Sequence, residues 1–212
     1  MQINLNSFKS ILCLNGDIPP RNFFDQLPKL DIIAADGAGS ILTEMNIIPT
    51  CIVGDFDSFN KDSVNKHTEY IRYSDQSNTD FEKCILEMQK RHLFPSLVCG
   101  AFGKEIDHAL HNMHCLMKYI RKFPMVFYDC TISERPKYCI PVYDQFNFRA
   151  NKADIISLLP YPEATVSTKG LKWDIDNELL SIGGISSIRN QAKNSKITIK
   201  LTKGQIVLIC DI

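Results

Sequence analysis

Between residues 10 and 130, short apolar runs alternate with stretches of helical periodicity, and that alternation restricts the chain to βα units built around a mostly parallel sheet. The runs predict strands at residues 10–14, 31–35, 51–54, 69–73, 97–100 and 125–128. Phe81, Cys84, Ile85 and Met88 fall at helical spacing and predict a helix over 79–92, with Glu87 placed to pair with Arg91 and with Ser77 or Asn78 as its cap. A second helix is predicted over 106–121, with Ile106, Leu110, Met113, Met117 and Ile120 along one stripe and Pro124 beyond its end.

After about residue 131 the helical period disappears. Short alternating runs take its place at 155–159, 165–168, 197–201 and 206–209, with Ile197, Ile199 and Leu201 on one face and Thr198 and Lys200 on the other. This pattern predicts a separate antiparallel β domain. Arg135, Pro136 and Pro141 put the boundary between the two regimes near 131–141.

Composition narrows the partners. Lysine plus arginine (24) balances aspartate plus glutamate (24), so net charge draws the chain neither to nucleic acid nor to an anionic membrane. No segment approaches the roughly 20 apolar residues of a membrane span, and the four-residue run 11–14 is too short for a secretory signal. A cytoplasmic protein is expected. The eight cysteines contain no C-x-x-C pair and several sit in apolar runs, as buried, reduced thiols do.

Chemistry concentrates where strands end. In Gly54-Asp55-Phe56-Asp57-Ser58 two carboxylates stand two residues apart after a strand, on one side of the chain, which suits a hard cation such as Mg²⁺ and, through it, phosphate. Asp36-Gly37-Ala38, the segment 75–80 and the segment 100–108 close three other strands, and open α/β sheets bind ligands beyond such strand ends. Helix starts near Asn78 and Glu105 add positive dipole ends. There is no P-loop motif, so Mg²⁺ on Asp55, Asp57 and Asp80 is expected to neutralise the phosphates, helped by Lys83. His108, His111 and His114 recur every three residues, unlike the i, i+4 pairs of zinc helices, and are read as ordinary helix residues.

In this order the motifs resemble the thiamine pyrophosphokinase family: residues 35–38, 54–58, Asp75-Gln76 with Thr79-Asp80-Phe81, Asp107-His108, then Gly170 to Trp173, Asn177-Glu178, Leu180 and the Gly/Ser segment ending at Asn190. The resemblance implies a Rossmann-like α/β/α nucleotide and catalytic domain over 1–133 and an antiparallel β-sandwich thiamine-binding domain over 134–212. It further implies Mg²⁺-dependent transfer of the pyrophosphoryl group of ATP to the thiamine hydroxyl, giving thiamine diphosphate and AMP. A homodimer is implied, with the thiamine site between the α/β domain of one subunit and the β domain of the other.

Carried over by motif, Asp55, Asp57 and Asp80 are the metal and catalytic carboxylates, with Asp107 and Asp36 in support. Gly37, Ala38, Ser58, Thr79, Lys83, Gly103, Lys104 and His108 join Asp36 around ATP. Gln76, Trp173, Ser187 and Asn190 hold thiamine, whose permanent positive charge suits stacking on an indole. The chain departs from the family twice: Lys104-Glu105 stands where Gly-Arg is frequent, and Arg189 where a small hydroxyl residue is usual. Two alternatives follow: a pyrophosphokinase for another small alcohol, or a thiamine- or nucleotide-binding protein with impaired catalysis.

Overall fold

The computed structural model describes residues 4–56, 65–75, 77–131 and 135–211. They divide into two compact units, Leu5–Ser133 and a second formed chiefly by Glu134–Ile212.

In the first unit six strands are parallel: β1 (Ser10–Cys13), β2 (Asp31–Ala35), β3 (Cys51–Gly54), β4 (Glu69–Arg72), β5 (Ser96–Cys99) and β6 (Met125–Asp129). The spatial order is β4-β3-β2-β1-β5-β6, so the chain builds outward from β1 on one side and then returns to its other side. Every residue of β1, β3 and β5 is buried, as expected of strands covered on both faces. Parallel pairs need crossovers, and these carry α1 (Arg21–Asp25), α2 (Asp36–Glu44), α3 (Asp80–Lys90) and α4 (Ile106–Tyr119).

The strand predictions agree with this sheet to within one or two residues, but three details differ. Helix α3 is capped by Thr79, in a capping box with Glu82, because Ser77 and Asn78 are drawn instead into hydrogen bonds with the Asp75 carboxylate. The Asp36-Gly37-Ala38 segment, expected only to close β2, is the first turn of α2. The apolar stripe of α4 is buried only in its second half: Met117 and Ile120 pack inside while Ile106 is 78% and Leu110 68% exposed.

The second unit is antiparallel: β7 (Lys137–Val142), β8 (Gln145–Arg149), β9 (Ile155–Lys169), β10 (Glu178–Ser181), β11 (Ser187–Gln191) and β12 (Lys196–Cys210). The four predicted runs are the halves of two 15-residue strands, β9 and β12. One half of β9 pairs with β11 and the other with β10, while β12 pairs with β8 and then β7. Register shifts flank Lys203 and Gly204, so two four-stranded halves share the long strands, as where strands pass from one layer of a sandwich to the other. Ile197, Ile199 and Leu201 are buried and Lys200 is exposed, as their alternation predicts.

All eight cysteines are free thiols, seven of them buried, and burial pushes the Cys51 thiol up to about 12. Among the described residues no helix is long and apolar enough to cross a membrane.

Candidate active site

Strand order reverses between β1 and β5, and at such a switch point the loops leaving neighbouring strands part and open a crevice. Here the two loops are first laced together: Leu14 N–H donates to Cys99 O (2.8 Å), Gly16 N–H to Gly100 O (2.8 Å) and Asp17 N–H to Phe102 O (2.7 Å). A side chain at Gly16 would meet Phe102 O at 2.1 Å, and Gly100, at φ +72°, would meet Leu14 O at 2.1 Å. Glycine is therefore required at both crossings. Beside them lies a cavity of about 570 Å³.

Of the residues assigned to ATP, Gly37, Thr79, Lys104 and His108 line this cavity, as do the carboxylates Asp80 and Asp107. Phe102, from the 100–108 segment, also lines it, as do Asn15, Gly16 and Asn112, which were missed from the sequence; the one usable signal was Asn15-Gly16-Asp17, a turn sequence at the end of β1. Lys104 Nζ donates to Asn15 Oδ1 (2.9 Å), and Asn112 Nδ2 to Ala101 O (3.0 Å). Glu105 also lines the cavity and is the N-cap residue of α4, but its side chain makes no capping hydrogen bond; Asp107 Oδ1 accepts the His108 N–H (2.8 Å), and the Ile106 and Asp107 amides are left for a ligand.

Asp36 opens α2, and its Oδ2 accepts the Phe56 N–H (3.2 Å). A Cβ at Gly54 would lie 2.6 Å from Asp36 Cβ, so glycine there admits Asp36 to the end of β3, next to Asp55. Asp80 opens α3, and its Oδ1 accepts from Lys83 Nζ at 3.0 Å. Lys83 does not line the cavity: its side chain is 3% exposed against 44% for Asp80. Ala38 is wholly buried in the core, and Gly103, at φ +99°, sits against the Asp17 carboxylate; neither lines the cavity. Asp75 organises its loop through the Ser77 N–H and hydroxyl, both at 2.8 Å, which hold its carboxyl below the usual range. Asp57, Ser58 and Gln76 lie outside the described residues.

In the second unit Trp173 is 55% exposed, with Lys172 Nζ 4.4 Å from its ring centroid, so the indole face already takes a cation. Asn190, assigned to thiamine, is buried and clamps the backbone of that tryptophan: Nδ2 donates to Trp173 O (2.8 Å) and Oδ1 accepts from Trp173 N–H (3.2 Å) and Gln191 N–H (2.8 Å). Ser187 Oγ is 3.5 Å from Asn190 Nδ2. Arg189 adopts φ +54° and donates its N–H to Ser157 Oγ (2.9 Å), within an irregular stretch of β11.

Residues 28–128 match the family model for the thiamin pyrophosphokinase catalytic domain, and residues 140–206 that for the thiamin pyrophosphokinase vitamin B1 binding domain. Thiamine pyrophosphokinase 1 of Arabidopsis thaliana is 30% identical over 199 residues, covering 81% of this chain and 74% of the relative. Thiamin pyrophosphokinase 1 of Caenorhabditis elegans is 26% identical over 192 residues, covering 84% and 77%. The thiamin pyrophosphokinase of Candida albicans has the same fold, with a TM-score of 0.81 over 99% of this chain and 91% of that one at 18% identity. The yeast enzyme aligns with a TM-score of 0.77 over 97% and 87%, at 20% identity.

Proposed function

The chain belongs to the thiamin pyrophosphokinase family, and on that premise we propose that it moves the pyrophosphoryl group of ATP to the hydroxyethyl oxygen of thiamine, releasing AMP. The observation that carries this reading is the cavity at the β1/β5 switch point, bordered by Asp80, Asp107, Lys104 and the N-terminus of α4. An anionic polyphosphate suits uncapped helix amides and the Lys104 ammonium.

Asp55, Asp57 and Asp80 would hold Mg²⁺, with Asp36 beside them. The donors are hard carboxylate oxygens; Asp80 is steadied by Lys83, and Asp36 by the Phe56 amide. When bound, the ion supplies charge neutralisation on the transferring phosphates. The protein's own share is alignment: the thiamine oxygen attacks the β-phosphorus as the bond from that phosphorus to the α,β-bridging oxygen breaks, and the electron pair leaves with AMP. Trp173, held by Asn190, offers its ring to the thiamine cation, and Ser187 lies beside Asn190.

Exposed apolar side chains at Leu179, Ile182, Ile185 and Ile188 support a homodimer, and the free thiols support a cytoplasmic location. Incubation with ATP, Mg²⁺ and thiamine should release AMP in step with thiamine diphosphate; ADP as the nucleotide product would overturn the reading. Trp173→Ala should raise KM for thiamine by roughly 3–30-fold, the equivalent of about 0.5–2 kcal/mol of cation–π contact.

A further inference from the structure

Where α3 meets α4, three side chains of different metal-binding type converge. His111 and Cys115 stand four residues apart on one face of α4, with Nε2 3.3 Å from Sγ. Glu82 reaches them from α3, and one ligand atom from each of the three lies within 4.8 Å of the others. The i, i+4 spacing that the three histidines lack is present between His111 and a cysteine otherwise read as core packing. We propose that Glu82, His111 and Cys115 form a binding site for a soft or borderline divalent cation such as Zn²⁺, distinct from the carboxylate corner assigned to Mg²⁺.

The distances suit that ion. With Zn–S of about 2.3 Å and Zn–N or Zn–O of about 2.0–2.2 Å, tetrahedral ligands stand about 3.3–3.6 Å apart. The His111–Cys115 pair already has this separation, and closing on Glu82 from within 4.8 Å requires at most about 1.5 Å of movement. Glu82 is held in place on both oxygens: Oε1 accepts from Lys118 Nζ (2.9 Å) and Tyr119 OH (3.0 Å), and Oε2 accepts the Thr79 N–H of the capping box (3.3 Å) beside Thr79 Oγ1 (3.5 Å), the weaker pair that a metal would displace. Hydrogen bonds of this kind fix ligating carboxylates. Imidazole and thiolate ligands favour Zn²⁺ or Co²⁺ over Mg²⁺. Because His111 also lines the cavity, water can complete the coordination from that side.

Co²⁺ is the probe, since a thiolate ligand to it produces an intense charge-transfer absorption. Metal-stripped full-length protein titrated with Co²⁺ should develop this band at one ion per chain, with excess Mg²⁺ present. Cys115→Ser should abolish the band and Cys130→Ser, at the one cysteine that is not buried, should keep it. Absence of the band in folded protein, or its survival in Cys115→Ser, would overturn the proposal. Should Cys115→Ser not fold, as judged by circular dichroism, His111→Gln and Glu82→Gln decide by equilibrium dialysis with Zn²⁺. Outer-shell changes weaken metal sites about 10–100-fold, so loss of a ligand should weaken binding at least tenfold; unchanged affinity in both variants would overturn the site. None of these readouts depends on catalytic turnover.

Discussion

With 3% of its side chain exposed, Lys83 carries a charge that burial would expel, and the Asp80 carboxylate at 3.0 Å compensates it. Asp80→Asn keeps an acceptor oxygen but removes the counter-charge. It is expected to lower stability by about 1–3 kcal/mol and transfer by about 10²-fold or more. Lys83→Met removes the charge at similar volume, so its melting temperature should hold or rise while transfer still falls. Thermal melts paired with AMP release separate the two effects; a Lys83→Met variant with wild-type turnover would remove Lys83 from the site. At the cavity rim, Glu105→Gln should lower KM for ATP about two- to fivefold and Lys104→Ala should raise it by a similar factor. Both shifts should shrink at high salt, and steady-state kinetics at two ionic strengths would test this. The acidic residues were legible because carboxylates at strand ends are chemically conspicuous. Asn15 and Asn112 were not, since a neutral amide in a turn or helix has no signature until the fold brings it to a crevice.

Helix α2 shows why a local reading of elements stops short. Asp36-Gly37-Ala38-Gly39-Ser40 contains two poor helix formers within a turn's composition. Both glycines sit in close packing: a Cβ at Gly39 would lie 2.5 Å from Ile52 Cδ1, and one at Gly37 would lie 2.7 Å from the Asn15 side-chain amide. Packing overrides propensity there. Strands β9 and β12 each show in the sequence as two short alternating runs, because the alternation lapses between them, yet Gly204, at φ +81°, marks only an irregularity inside a continuing strand. Helix α3 was legible in length and face, and its charges suggest a pH test. Burial raises the Glu82 carboxyl, but hydrogen bonds from Lys118, Tyr119 and Thr79 outweigh it and the net shift is downward. Burial likewise raises Glu87, and Arg91, Lys90 and Tyr73 bring it down. Depressed carboxylates stabilise the fold fully above their unfolded pKa of about 4.3, and that stability is lost as pH falls through the lower folded values. The melting temperature should therefore drop steeply below about pH 4.5, and a Glu82→Gln, Glu87→Gln variant should be less stable at neutral pH with a flatter acid limb. Parallel wild-type and variant curves would exclude these groups.

At the scale of the molecule, the change of period from helical to alternating near residue 131 is a feature of the sequence, and the described residues form two compact units, Leu5–Ser133 and one chiefly of Glu134–Ile212. What periodicity cannot carry is which surfaces of separate chains meet, because an interface leaves only exposed apolar residues such as Ile106, Leu110, Ile182 and Ile185. If the homodimer shares its sites, with the carboxylates from one subunit and Trp173 from the other, then two defective chains should rescue each other. Asp80→Asn and Trp173→Ala, unfolded together and refolded in equal amounts, form about half mixed dimers by random pairing. In each mixed dimer one site combines both intact halves, so activity at low thiamine should recover to about a quarter of wild type. Sites built within single subunits predict no recovery, since every chain carries one lesion. Native mass spectrometry verifies that mixed dimers have formed; with them present and activity still absent, the shared-site arrangement fails, and a monomeric wild-type protein by sedimentation would remove the dimer itself.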